Sequence, residues 1–237
     1  MKNNRIFLCV AFALIALLMV SCSGSSKGGA TSGGSASITF PTPGVTTTEP
    51  APTAPPAVSS STVVTAIVNA SKAQLAAKSW RVKSNIESNG VSIPGTLDYA
   101  APDRYHLTTS TIEMISIGSK SYMKQNGTWV ETPLNVTSLI GSLMNSALPQ
   151  ELQNNITGAK LIGPDTLNGK PMSVYQFNNT MTANNINIAT TTKLWVGESD
   201  GLPYQEVIQG NLNGIKTTTT NLVEYDPNIQ IQDPTAK

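Results

Sequence analysis

Cysteine is almost absent from this 237-residue chain, and both of its cysteines, Cys9 and Cys22, stand close to the N-terminus. No disulfide can therefore cross-link the long remainder of the chain, and no thiol there can ligate a metal or act as a nucleophile. We expect a domain whose stability depends on its buried core alone.

Charge is also scarce. Lysine and arginine number 15, aspartate and glutamate number 14, and charged residues make up 12% of the chain. Proteins that bind nucleic acids or anionic headgroups carry a basic stripe, and this sequence has none. We therefore expect no nucleic-acid partner. Serine, threonine, asparagine and glutamine must supply the polar surface instead.

The single histidine, His106, stands between Tyr105 and Leu107 in a predicted strand. If those two neighbours point into the core, the alternation of a strand directs His106 toward solvent. No cysteine or acidic cluster has ligand spacing around it. The sequence thus predicts an inert, exposed histidine, no metal site and no cofactor.

Catalytic motifs are missing as well. Ser121-Tyr-Met-Lys124 matches the Ser-x-x-Lys pattern, which requires one helical turn to bring the two side chains together. Here the pattern falls in a predicted strand, where an offset of three directs them to opposite faces. Neither a Gly-x-Ser-x-Gly elbow nor a Gly-rich phosphate loop is present. We therefore do not expect an enzyme.

The N-terminus, in contrast, has a distinct pattern over residues 1–21. A basic start, Met1–Arg5, precedes an apolar run, Ile6–Val20, and a small residue, Ser21. This order is typical of a secretory signal peptide. The run is shorter than the roughly 20 apolar residues that span a bilayer. The sequence therefore predicts export.

The end of this segment, Leu18-Met-Val-Ser-Cys22, resembles the lipobox of bacterial lipoproteins, with Met19 in place of the usual leucine. The resemblance implies that Cys22 becomes the acylated N-terminus. It also implies a protein held at the extracytoplasmic face of a bacterial cell membrane by its lipid anchor. The alternative is an ordinary secretory signal that contains a chance cysteine.

Residues 22–61 are predicted to form the acylated cysteine and a disordered linker. They consist mostly of glycine, serine, threonine, alanine and proline, with Lys27 and Glu49 as the only charges. Such a composition buries too little apolar surface to offset its ordering entropy. A tether is the expected role. Residues 62–237 form the predicted folded domain, which is large enough for one core.

The domain is predicted to begin with a helix capped by Ser61 or Thr62, because Val64, Ile67, Val68 and Leu75 recur near helical spacing. About ten antiparallel strands follow, with alternating patterns and turn residues between them. Tight turns are expected at Asn89-Gly90 and Asn126-Gly127, and a bulge or kink at Pro94-Gly95. The predicted strands are 80–86, 91–99, 104–111, 113–117, 122–124, 129–130, 159–163, 173–177, 186–196, 204–209 and 216–225.

A second amphipathic helix interrupts these strands. Its apolar positions recur at three- and four-residue spacing up to Pro149, and they are Val136, Leu139, Ile140, Leu143, Met144 and Leu148. The sum predicts an α+β fold, in which one large curved antiparallel sheet is covered by two or more helices.

Several short segments, taken together, resemble the LolA/LppX-like superfamily of periplasmic and surface lipoproteins. They are Pro102-Asp-Arg-Tyr105, Gly118-Ser-Lys-Ser-Tyr122, Asn126-Gly-Thr-Trp129, Leu194-Trp-Val-Gly197, Asp200-Gly-Leu-Pro203 and Tyr225-Asp-Pro227. The resemblance implies an incomplete β-barrel with an apolar cavity between sheet and helices. It also implies binding of lipid or acylated ligands, or of an envelope protein partner in relatives that act as sensors.

The residues expected to line such a cavity are Trp80, Leu97, Tyr99, Leu107, Met114, Leu139, Ile140, Leu143 and Met144. Two hypotheses remain open at this point. In the first, a membrane-anchored protein binds or carries acyl chains in the cavity, in envelope lipid or lipoprotein transport. In the second, the same side chains fill a core, and the domain is a non-enzymatic envelope interaction or sensor module.

Overall fold

The computed structural model describes residues 60–133, 156–183, 186–212 and 215–236. These residues form one helix and eleven strands. The elements are α1 Ser60–Ala76, β1 Ser79–Ser88, β2 Val91–Ala100, β3 Arg104–Thr109, β4 Glu113–Ile117, β5 Lys120–Gln125, β6 Thr128–Thr132, β7 Ile156–Leu167, β8 Lys170–Ala183, β9 Ile186–Gly197, β10 Pro203–Leu212 and β11 Ile215–Glu224. Among the described residues, no helix is both long enough and apolar enough to cross a membrane.

All eleven strands belong to one antiparallel sheet in the order β6-β5-β4-β3-β2-β1-β11-β10-β9-β8-β7. The chain builds this sheet as two meanders, β1–β6 and β7–β11. The pairing of β1 with β11 joins them, with Arg81 opposite Glu224 and Ser88 opposite Thr217. The sheet is not closed, because β6 and β7 form its two edges.

Asn-Gly pairs make the tightest turns of the sheet. Asn89 and Gly90 connect β1 to β2 with φ of 50° and 77°, and Asn126 and Gly127 connect β5 to β6 with φ of 50° and 81°. Positive φ at both central residues matches the twist of the flanking strands. Both turns were predicted from the sequence, and both are confirmed.

The single antiparallel sheet is confirmed, and each of the eleven predicted strand ranges corresponds to one of its eleven strands, although most strands are longer than predicted. A bulge or kink was expected at Pro94-Gly95, and the bulge is wrong, because β1 and β2 pair without a register shift there. Register shifts occur instead in β7 and between Pro203 and Gln205. One helix is described, and the predicted second helix falls in residues 134–155, outside the described residues.

Helix α1 buries one face against the sheet. Val63, Ile67, Ala70 and Gln74 are buried and recur every three or four residues, which is the spacing of one helical face. The predicted cap at Ser61 or Thr62 is wrong, since both residues lie inside the helix.

The two faces of the sheet differ in what covers them. We call the face against which α1 packs the inner face, and the opposite one the outer face. On the outer face, the C-terminal segment 226–236 crosses the first meander. Ile231 is buried in a cluster with Ala100 and Ile115, and its carbonyl oxygen accepts a 2.6 Å hydrogen bond from Arg104. The C-terminal segment is thus part of the fold.

Candidate functional site

An apolar cluster occupies the inner face of the first meander. It unites the five sequence-predicted lining residues that fall in the described ranges, Trp80, Leu97, Tyr99, Leu107 and Met114, with Val82, Tyr105 and Val223. The register explains this grouping, because Tyr99 lies opposite both Trp80 and Tyr105, and Leu107 lies opposite both Leu97 and Met114. The other candidates, Leu139, Ile140, Leu143 and Met144, and the proposed anchor Cys22 lie outside the described residues.

Aromatic rings pack closely within this cluster. The rings of Trp80 and Tyr99 stack with centroids 5.1 Å apart, and those of Tyr99 and Tyr105 lie 5.2 Å apart. Trp80 has no exposed surface. Burial raises the pKa of the Tyr105 phenol well above its usual range, so the ring stays neutral. Tight ring packing fills this part of the inner face.

A second apolar cluster lies near the other edge of the same face, beneath the helix. Its sheet residues are Ile156, Phe177, Leu194 and Val196, and its helical residues are Val63, Ile67, Val68 and Ala70. Leu75, in the last turn of α1, and Ala77, just after the helix, pack against the first cluster instead. The helix therefore links the two clusters across the inner face.

A row of polar side chains separates the two clusters. Ser84 on β1 lies opposite Asn221 on β11, which lies opposite Glu206 on β10. The Asn221 Nδ2 atom donates a 3.2 Å hydrogen bond to Glu206 Oε2. Ser84 and Asn221 are only 4% and 2% exposed. We call these three residues the polar row.

Buried polar atoms on this face are left without partners. Among the described residues, Ser84 Oγ, Asn221 Oδ1, Asn179 Oδ1 and Trp80 Nε1 are buried and accept or donate no hydrogen bond. Native proteins satisfy the large majority of such atoms. The sequence interpretation singled out neither Ser84 nor Asn221. The only signal for Asn221 was one asparagine in a long threonine-rich strand, at an inward position of the alternation.

The chemically reactive residue types that the sequence offered lie elsewhere. His106 is on the outer face, half-buried, 3.3 Å from Glu113. Ser121 points to the inner face and shares a 2.6 Å hydrogen bond with Ser116, whereas Lys124 pairs with Glu113 on the outer face. The strand geometry therefore separates Ser121 from Lys124, as predicted. In the described part of the chain, no group of three metal-ligating side chains comes together.

The Asp200-Gly-Leu-Pro203 turn is held by a polar cluster. Asp200 Oδ2 accepts hydrogen bonds from Lys170 at 2.7 Å and from the Tyr204 hydroxyl at 2.8 Å, and Lys170 also contacts the Tyr204 oxygen. Burial alone would raise the pKa of Asp200, but the bonds from Lys170, the Leu202 N–H and Tyr204 outweigh it and lower that pKa. The cluster fixes the β9–β10 connection.

A groove of about 450 Å³ lies between α1 and this turn. Asn69 and Ala73 line it on the helix, and Glu198 and Asp200 line it on the turn. Its walls mix polar and apolar groups. None of the predicted lining residues contributes to it, but Ala70 and Val196 of the second apolar cluster do, so the groove borders that cluster.

These features define a class of protein, an open antiparallel sheet with apolar clusters on the face that a helix covers. Two solved mycobacterial proteins have the same fold. The lipoprotein LppX of Mycobacterium tuberculosis matches with a TM-score of 0.52 and 13% identity, over 73% of this chain and all of LppX. LprF of Mycobacterium bovis matches with a TM-score of 0.53 and 11% identity, over 74% of this chain and 98% of LprF.

At these identities the likeness establishes the fold alone. It confirms the LppX-like fold that the resemblance of the sequence motifs implied. No family model matches the sequence, and no curated protein matches it either.

Proposed function

We propose that this protein is a membrane-anchored, non-enzymatic bacterial lipoprotein that binds acyl chains against the inner face of its sheet. The observation that carries the proposal is the one-sided placement of the two apolar clusters on a sheet that is not closed. An apolar face of this extent offers acyl chains a surface from which water is excluded.

Three further observations support this proposal. The fold is shared with LppX, which is itself a lipoprotein. The sequence pattern at Cys22 predicts a lipid anchor, which would hold the domain at a membrane surface where its ligands reside. The sequence pattern of the predicted second helix would supply Leu139, Ile140, Leu143 and Met144 as a further apolar face, and methionine adapts to varied ligand shapes. We propose that the protein takes part in lipid or lipoprotein transport in the envelope.

The second candidate function is an envelope interaction or sensor module whose core is filled by its own side chains. The stacked rings of Trp80, Tyr99 and Tyr105 favour it, because they fill the first meander without a ligand. The two functions differ in whether apolar space remains near the predicted second helix, so that segment is the place to test them.

A charge on the apolar side of that predicted helix separates the two functions. The full chain carrying Cys22→Ser is purified and titrated with a fluorescent fatty acid, with and without Leu143→Arg. At an open cavity, arginine reaches water along its apolar stem, so the variant folds and loses probe binding. In a filled core, an unpaired buried charge prevents folding, and that result favours the interaction module.

Asn145→Arg is the matched control, since it adds the same charge on the polar side of the predicted helix. We expect it to leave probe binding unchanged. Folded Leu143→Arg protein that binds the probe as tightly as the Asn145→Arg variant would overturn the proposed function.

A further inference from the structure

We infer that Ser84 and Asn221 form a recognition site for a hydroxyl group carried within an acyl chain. This inference rests on the proposed function and names the ligand class more narrowly. The ligand hydroxyl would make the hydrogen bonds that Ser84 Oγ and Asn221 Oδ1 lack in the described structure.

The sheet register brings the two side chains together. Ser84 and Asn221 are direct cross-strand partners on β1 and β11, and both point to the inner face. Directly opposite side chains have Cβ atoms about 5 Å apart. One small polar group can therefore contact Ser84 Oγ and Asn221 Oδ1 at the same time. The position opposite Ser84 on β2 is Gly95, which has no side chain to occupy the space on that side.

Glu206 determines which amide atom Asn221 presents. A carboxylate accepts hydrogen bonds and does not donate, so only the Nδ2 end of the amide can face it. The 3.2 Å contact from Nδ2 to Glu206 Oε2 has this arrangement. The opposite amide orientation would set Oδ1 against a second acceptor. Asn221 Oδ1 is thereby left as an acceptor that needs a donor.

The hydrogen-bonding capacities of the pair select a hydroxyl. A ligand hydroxyl donates to Asn221 Oδ1 and accepts from the Ser84 hydroxyl, so it satisfies both atoms. An ester carbonyl satisfies Ser84 only, because it has no donor for Asn221. A methylene group satisfies neither. A buried polar atom without a partner is destabilising. The ligand hydroxyl gives a hydrogen-bond partner to two such atoms.

The surroundings place that hydroxyl within an apolar chain rather than on a headgroup. Val82 and Ile86 flank Ser84 on the same face of β1, and Val223 and Thr219 flank Asn221 on β11. Val82 and Val223 belong to the first apolar cluster. A polyol headgroup centred here would place its other hydroxyls against these side chains without partners. A single hydroxyl with methylenes on both sides matches the order of apolar, polar and apolar side chains along β1, which is Val82, Ser84 and Ile86.

Competition between matched fatty acids tests the inference. The full chain carrying Cys22→Ser is loaded with a fluorescent fatty acid. Stearic acid and a set of hydroxystearic acids, with the hydroxyl at successive chain positions, then displace it. We expect one hydroxyl position to bind roughly tenfold tighter than stearic acid, the effect of one to two net hydrogen bonds. Ser84→Ala and Asn221→Leu should each remove most of this preference.

Thr219→Val is the matched control. Thr219 is equally buried on the same face of β11, two residues from Asn221, and valine removes its hydroxyl at nearly constant volume. We expect the preference to persist in this variant. A second readout is thermal melting without ligand, in which Ser84→Ala should not lower the melting temperature, because the hydroxyl it removes has no partner.

Each outcome bears on a defined claim. Equal binding of stearic and all hydroxystearic acids overturns the hydroxyl site and leaves the proposed function standing. A preference that survives both Ser84→Ala and Asn221→Leu also overturns the site, as does one that Thr219→Val abolishes to the same extent. If the protein binds neither the fluorescent fatty acid nor any unlabelled one, the proposed function is overturned, and the hydroxyl site with it.

Discussion

The indole ring of Trp80 on β1 stacks on the phenol ring of Tyr99 on β2, with their centroids 5.1 Å apart. The two residues are cross-strand partners, and both are buried on the inner face. Offset ring pairs of this kind stabilise a sheet beyond the area they bury. The stack therefore marks the packed part of the inner face, where side chains rather than a ligand fill the space.

The first prediction concerns this stack. Trp80→Ala should destabilise the domain by about 3 to 5 kcal/mol, the usual cost of removing a buried aromatic ring. Urea denaturation followed by circular dichroism measures the change. Trp129→Ala is the control, because Trp129 is only partly buried on edge strand β6, and we expect a clearly smaller loss. Equal losses for the two variants would show that the stack does not anchor the core.

A second prediction concerns the C-terminal segment. Ile231→Ala should cost about 2 to 5 kcal/mol of stability, since Ile231 is buried against Ala100 and Ile115 on the outer face. Ile229→Ala, at a partly buried position of the same segment, should cost less. Thermal melting of both variants checks this. If Ile231→Ala melts like the unmodified protein, the segment is dispensable for the fold.

The third prediction concerns pH. The lowered pKa of Asp200 means that its ionised form stabilises the folded state. This contribution, of order 1 kcal/mol, is fully present above about pH 4, the pKa range of an unfolded aspartate. It is lost as the pH falls through the lower folded-state pKa. Asp200→Asn should therefore be less stable than the unmodified protein at neutral pH, and the gap should close in acid.

Melting temperatures measured from pH 7 to pH 3 test this dependence. Glu131→Gln, which neutralises an exposed carboxylate on β6, serves as the comparison and should show no such gap. An Asp200→Asn deficit that stays constant over the whole range would mean that the lost contacts are not ionic in origin.

The fourth prediction concerns the anchor. Cys22→Ser should abolish lipidation, because serine lacks the thiol that the lipobox resemblance identifies as the acyl acceptor. The protein should then leave the membrane fraction or remain unprocessed. Metabolic labelling with a radioactive fatty acid, followed by cell fractionation, measures both effects. A mature-sized product in the membrane fraction would show that another residue or segment anchors the protein.

Much of the sheet could be predicted from local patterns. Strand β4 has the predicted bounds, Glu113–Ile117, because alternation and turn chemistry are both local. The bulge at Pro94-Gly95 was wrong for a different reason. Asn85 and Ser84 on β1 pair with these residues in unbroken register, and cross-strand pairing outweighs the local preference of proline and glycine for irregular backbone.

The candidate site was less accessible to sequence reasoning. The apolar members of the first cluster followed from alternation, as at Leu97 and Leu107. The polar row did not, because Ser84 on β1 is far in the sequence from Asn221 on β11 and from Glu206 on the preceding strand β10, and it meets them only through the β1–β11 pairing. A local pattern contains no information about which distant strand becomes the neighbour.

Mass spectrometry of an organic extract tests lipid binding most directly. The full chain carrying Cys22→Ser is purified from a bacterial envelope fraction, so that any lipid in the extract is held without a covalent bond. The proposed function predicts an acyl lipid at close to one molecule per protein, depleted in the Leu143→Arg variant, and the hydroxyl site predicts that its chain is hydroxylated. An extract with no more lipid than that of an unrelated exported protein purified in parallel would contradict the proposed function.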